Sequence, residues 1–188
     1  MNPAKDESEG PTFRTQRLRL VWLLAIPFLL LSTPSPSALI VGLSISVPGL
    51  LLRAVAAGSI HKERELATGG PYRHLRHPLY VGSFLLGLGF SVAGGRWWFP
   101  ILYCGFFLWL YGRTVAAEEA HLASIYGAEF RAYRDSVPAF IPRPRPRSEF
   151  PGSEGFRFWL YRRNKEWQAA IGMLVGFGLL CIRMSLMD

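Results

Sequence analysis

Five apolar blocks, separated by polar stretches rich in Arg, Gly and Pro, organise the chain. They run over Leu20–Leu31, Ser37–Ala57, Leu79–Gly94, Trp97–Ala117 and Trp167–Met187. A helix needs about 20 mostly apolar residues to cross a bilayer, because each residue advances it by only about 1.5 Å. The first block is short by this measure. It must recruit its flanks or form a hairpin with the second block across the turn Ser32–Ser37, where Pro34 and Pro36 stop a helix. Pro48 predicts a kink in the second block. The third carries small residues, Ser83 and Gly87 at i and i+4 with Gly82 and Gly89 beside them, so a neighbouring backbone can approach it closely. Trp97 and Trp98 suit an interfacial anchor. The pattern predicts an all-α polytopic membrane protein of about five transmembrane helices.

Between and beyond the blocks the pattern changes. Residues 1–12 are polar, with Gly and Pro, and read as disordered. After Glu118 the fourth helix is expected to leave the membrane. Leu122, Ile125, Tyr126, Phe130 and Tyr133 keep helical spacing while Arg131 and Arg134 supply charge, which predicts an amphipathic segment on the membrane surface, weakened at Gly127. Ile141–Arg147 alternates Pro and Arg and predicts an extended basic linker. The resulting plan is a disordered start (1–12), N-terminal membrane helices (13–58), a core (59–142), a basic linker (143–166) and an added C-terminal helix (167–188).

Charge orients this plan. The net charge is +8, yet no basic-aromatic groove or nucleic-acid motif accompanies it, so no nucleic-acid partner is expected. Four Lys and Arg residues precede the first block, four lie in residues 59–78 and nine in Arg131–Lys165; Arg96 and Arg183 remain for the other side, with Arg53 and Arg113 at helix ends. The positive-inside rule then gives a cytoplasmic N-terminus. Cys104 and Cys181 lie in apolar blocks without metal or redox spacing and read as small buried hydrophobes. His61 and His121 have no partner spacing for a metal either, and read as interfacial polar residues.

The polar stretch Gly69–Gly82 gathers two His, two Arg and two Tyr within a few residues, and it shares the cytoplasmic face with Glu118 and Glu119. Two readings are open: a loop that meets an anionic small molecule, or a positive loop flanking a membrane helix with no further task. Glu118 could accept both hydroxyls of a ribose, and Arg76 or His77 could meet a ligand carboxylate. Adjacent Glu118 and Glu119 point about 100° apart on a helix and should not share one job. Gly87-Leu88-Gly89 lacks the preceding strand and third glycine of a nucleotide loop.

Gly70-Pro71-Tyr72, Arg76-His77-Pro78-Leu79-Tyr80-Val81-Gly82 and Glu118-Glu119-Ala120-His121-Leu122, followed by Tyr126-Gly127, Tyr133, Val137-Pro138 and Ile141-Pro142, resemble the isoprenylcysteine carboxyl methyltransferase family. The wider group includes integral-membrane phospholipid N-methyltransferases. The resemblance covers roughly Arg53 to Pro142. It implies S-adenosylmethionine as cofactor, held in a cytoplasmic pocket closed by the C-terminal part, and a lipid or prenylated amphiphilic acceptor, without a metal. Tyr72, His77, Pro78, Leu79, Tyr80 and Glu118 then match cofactor-binding positions, with Arg76 beside them. The stretch Arg64–Ala67 falls where the family's loop touches the donor, though its residue types match poorly. An acceptor-orienting arginine is expected four residues before Glu118, but Thr114 stands there and Arg113 is the nearest cation.

The chemistry implied is displacement at an activated methyl group, in which alignment and electrostatics dominate. A carboxylate acceptor needs no base, whereas an amine must lose a proton, for which Glu119 or His77 would serve. The expected function is carboxyl O-methylation of an isoprenylcysteine-like substrate, with Arg113 and Glu119 as catalytic residues. Phospholipid N-methylation and a non-catalytic lipid-binding protein are the alternatives.

Overall fold

The computed structural model describes residues 25–60, 66–144 and 156–187. Residues 1–12, His61, Arg64, Glu65, Arg145 and Arg147, and the expectations placed on them, lie outside the described residues. Among the described residues every regular element is helical. They are α1 (25–31), α2 (Pro36–Gly58), a 3-10 turn (Gly70–Arg73), α3 (Pro78–Ala93), α4 (Trp98–Ser136), α5 (Phe158–Arg163) and α6 (Trp167–Ser185). Three of them, α2, α4 and α6, are long and apolar enough to cross a membrane. With 16 residues, α3 spans about 24 Å and falls short of a hydrocarbon core of about 30 Å.

The outer faces explain why these helices belong in lipid. Ile40, Val41 and Leu51 on α2, Leu108 and Trp109 on α4, and Leu174 and Ile182 on α6 are all exposed. Such a continuous apolar exterior would be a severe liability in water. The same logic corrects one expectation: Cys181 is exposed and Cys104 half-buried. Apolar side chains on a membrane helix are already solvated by lipid and need no burial in protein.

Local chemistry starts and stops the helices. Ser35 caps α2 by accepting from the Ala38 N–H at 3.2 Å, and Pro36 occupies the first helical position. At its other end, α2 leaves carbonyls that the C-terminal part satisfies. The Arg157 N–H donates to Gly58 O (2.9 Å) and Asn164 Nδ2 to Ala57 O (2.8 Å). Thus α5, in the stretch read as linker, is docked on α2.

The α2–α3 seam is backbone against backbone. A Cβ on Gly42 would come within 2.5 Å of Gly89 O, and one on Gly49 within 2.7 Å of Gly82 O. Ser46 Oγ donates to Leu86 O across the same seam at 3.1 Å. Close approach was expected of this helix, but Gly82 and Gly89 provide it. Ser83 instead meets Arg53 from α2, and Gly87 lies under the Tyr103 ring. Below the seam, Leu39, Ala93, Phe177 and Leu180 form a core joining α2, α3 and α6.

The charge asymmetry survives folding. Arg96 and Arg183 close one end of the bundle by donating to Leu31 O (3.3 Å) and Leu30 O (3.1 Å). The 66–77 loop, the second half of α4, α5 and the start of α6 gather at the opposite end, where the site lies.

Candidate functional site

The site is built on the start of α3. Pro78 fixes the first turn of that helix, and the loop before it is held from both sides. Its backbone pairs with the segment after α4: Arg76 N–H donates to Pro138 O (2.8 Å), His77 N–H to Ala139 O (3.2 Å) and Arg143 N–H to His74 O (3.0 Å). The Arg143 side chain adds a bond to Ser136 O at 3.0 Å. The start of the basic stretch, Ile141–Pro144, is non-helical as expected but is tied to this loop through Arg143.

The second half of α4 forms the roof. Gly127 has φ +52° and ψ −117°, a conformation that residues with a Cβ adopt only under strain, and it bends the helix. Beyond the bend Phe130 and Tyr133 pack with Leu66 and Val137, while Leu122 and Tyr126 add to the same cluster. Tyr133 Oη donates to Tyr72 O at 2.8 Å. Leu122, Tyr126, Phe130 and Tyr133 of the apolar stripe thus pack towards the loop, while Ile125 stays exposed. Periodicity identifies an apolar face without saying what covers it.

Between roof and loop lies a cavity of about 680 Å³, within the roughly 300–1,000 Å³ range of small-molecule sites. Tyr72, Arg76, His77, Leu79, Tyr80 and Glu118 all stand on its wall. Pro78 is buried beneath them as the helix start. Leu66 and Ala67, from the loop expected to touch the donor, reach the wall too. His121, read as an interfacial polar residue, also lines it, as do Tyr111 and Tyr126.

Polar groups are arranged in two sets. Glu119 sits behind the wall, with Oε1 at 2.9 Å from His77 Nε2 and 3.2 Å from Arg76 NH2. Arg76 NH1 also donates to Arg134 O at 2.8 Å, so the guanidinium is fixed. The His77 ring is buried, flanked by Tyr80 and Phe140 at 5.7 Å each. Glu118 turns the other way, into the cavity, where the Tyr80 hydroxyl donates to it. The two glutamates therefore have different partners and face different ways.

Two buried donors on this wall have no partner among the described residues: the Tyr72 hydroxyl and Arg76 Nε. Burial, with smaller contributions from Tyr133 and Glu118, pushes the Tyr72 phenol well above its ordinary range, so it carries its proton at neutral pH. A buried hydroxyl left unpaired is costly, and here it borders a space that a polar ligand would fill.

Arg113 is exposed and off the cavity wall. Arg53, near the end of α2, is partly buried and meets Glu166. Glu166 was not anticipated, because nothing in its local sequence marks the partner of a residue 113 positions away. An arginine near the end of an apolar helix was the available signal. Among the described residues no group of three or more His, Cys, Asp or Glu side chains is placed to hold a metal ion.

Together these features define an integral membrane helical protein with a polar pocket at one end of its bundle. Residues 39–129, which take in most of α2, all of α3 and most of α4, match the phospholipid methyltransferase family. Over 89 residues the chain is 35% identical to the protein-S-isoprenylcysteine O-methyltransferase of Schizosaccharomyces pombe, covering 47% of this chain and 37% of that one. It is 36% identical over 104 residues to the cobalt-zinc-cadmium resistance protein CzcN of Cupriavidus metallidurans (54% and 46%). It is 40% identical over 84 residues to the nickel-cobalt-cadmium resistance protein NccN of Alcaligenes xylosoxydans xylosoxydans (44% and 38%). Each match spans less than half of the relative's length. No solved structure matches the chain.

Proposed function

We propose that the protein is a membrane methyltransferase that moves a methyl group from S-adenosylmethionine to an amphiphilic acceptor. The observation that carries this reading is that the family-matched core and the polar cavity coincide. Tyr72, Arg76, His77, Leu79, Tyr80 and Glu118, named from two separated motifs, meet on one wall.

The residues present suit the donor's groups. S-adenosylmethionine supplies an activated methyl group on a sulfonium, together with a ribose diol and an amino acid end. Glu118 is the acceptor for the ribose hydroxyls, the free Arg76 Nε suits the donor's carboxylate, and the Tyr72 hydroxyl adds a donor. Glu119 is a positioning residue that fixes Arg76 and His77, and Pro78 sets the backbone from which Leu79 and Tyr80 project. The basic end of the bundle faces the cytoplasm in this reading, where the donor is dissolved.

The acceptor proposed is an isoprenylcysteine-like carboxylate. Its oxygen attacks the methyl carbon, a C–O bond forms as the C–S bond breaks, and the bonding pair stays on sulfur. One negative and one positive charge disappear, and no proton moves. The family match itself favours a second reading, N-methylation of a phospholipid amine, in which Glu119 or His77 takes the amine's proton.

Labelled-methyl transfer by the full chain in lipid nanodiscs tests both. Alkali releases methanol from a carboxyl ester and leaves an N-methyl group in place. No transfer to either acceptor class would reject the enzymatic reading.

A further inference from the structure

Two concave features meet at one cation. The cavity and a second, apolar groove of about 350 Å³ between α3 and α6 share Arg53 and Ser83 on their walls. Leu86, Phe90, Met173 and Phe177 line the rest of the groove, which is set among the membrane helices. A molecule with an acidic head and a hydrocarbon tail would need this pairing, with a fixed cation at the polar end and an apolar channel leading away.

The cation is already shaped for a carboxylate. Arg53 NH2 lies 2.7 and 2.9 Å from the two oxygens of Glu166, and Nε lies 3.1 Å from one of them. Ser83 takes the NH1 group on the opposite edge. The planar guanidinium fork matches both carboxylate oxygens, which a lysine cannot do. Glu166 opens α6 and so lies outside the family-matched residues 39–129.

We infer that Arg53 is the acceptor-binding cation. It takes the acidic head of the acceptor in exchange for Glu166, while the hydrocarbon tail lies in the groove between α3 and α6. Glu166 is a built-in stand-in that keeps the partly buried guanidinium paired while the site is empty, since removing one partner of such a pair leaves an uncompensated charge. The exchange also gives product release a physical cause. A methyl ester is neutral and loses the charge-assisted bonds, so Glu166 returns and the product leaves. This inference rests on the methyl-transfer reading.

The test uses the full chain in nanodiscs, with a prenylated cysteine bearing a free carboxylate and its carboxamide as binding probes. The native protein should hold the acid about tenfold or more above the amide, the discrimination expected of one charge-assisted pair. Glu166→Gln should tighten acid binding by several-fold, because the competing carboxylate is gone. The exchange Arg53→Glu with Glu166→Arg restores the pair but moves the cation, and should abolish the acid preference. Gly172 also lines the groove, and a Cβ there would meet nothing within 4 Å. Gly172→Phe should therefore weaken a long-chain acid by about tenfold more than a short-chain one. An acid preference that survives the exchange, acid binding that Glu166→Gln leaves unchanged, or a Gly172→Phe effect independent of chain length would each overturn the inference. Absent methyl transfer with an intact, Arg53-dependent acid preference would reject the enzymatic reading and support Arg53 as the seat of the acid.

Discussion

The two ends of the site are held by opposite kinds of packing. Beneath it, α2 and α3 meet through Gly42, Gly49, Gly82 and Gly89, which let the two backbones approach closely. Above it, the roof of α4 is held to the loop by hydrogen bonds, an aromatic cluster and one bend at Gly127. The seam is governed by volume and tolerates no added atom. The roof is governed by specific bonds that can break and re-form singly. The proposed donor site would use both, a floor that stays and a cover whose individual bonds are weak.

Mutations should separate the two regimes. The largest effect is expected in the seam, where Gly42→Leu forces a side chain against Gly89 O and Ala93. It should cost about 3 kcal/mol or more of fold stability, at the upper end of overpacking penalties. Unfolding in mixed detergent micelles measures this, and a loss near zero would mean that the helices are not seated as described. Next comes Glu118→Ala, which should weaken S-adenosylmethionine binding by about 10–100-fold, the scale of hydrogen bonds to a charged group, with stability unchanged.

At the roof the effects should be smaller. Gly127→Ala places a Cβ at positive φ and should cost about 1–2 kcal/mol, read as faster amide exchange beyond residue 127 and weaker donor binding, with the membrane helices unaffected. Tyr133→Phe removes one hydrogen bond to Tyr72 O and should cost about 1 kcal/mol. The smallest effect is expected for Arg113→Lys. It lies off the cavity wall, so turnover should stay within about twofold of the native value, inside the usual surface range of about 0.5 kcal/mol. A strong loss there with donor affinity intact would restore Arg113 as the cation that aligns the acceptor.

Much of this was legible in the sequence, for identifiable reasons. Apolar blocks of span length announce membrane helices, because lipid demands internally satisfied backbone over the whole crossing. The wall residues from Tyr72 to Tyr80 are contiguous and rigidly spaced by Pro78, so a linear reading could find them together. Glu118 was found because a second motif follows one span later. What was not legible depends on tertiary pairing. The stripe of Leu122, Tyr126, Phe130 and Tyr133 has the same period whether it covers lipid or a loop. Arg53 and Glu166 carry no mutual signal in the sequence, since the pair exists only because α5 docks on the end of α2. Likewise, Ser83 and Gly87 looked as suitable as Gly82 and Gly89 for the seam, and only the rotation of α3 decides between them.

The central claim is that the cavity under the α4 roof is the methyl-donor site, and donor binding tests it most directly. Calorimetric titration of S-adenosylmethionine into the full chain in nanodiscs, native and Glu118→Ala side by side, requires no knowledge of the acceptor. The account predicts saturable one-site binding to the native protein, and a dissociation constant raised at least about tenfold in a variant of unchanged thermal stability. Equal affinity in the two proteins, or no binding to the native one, would contradict it.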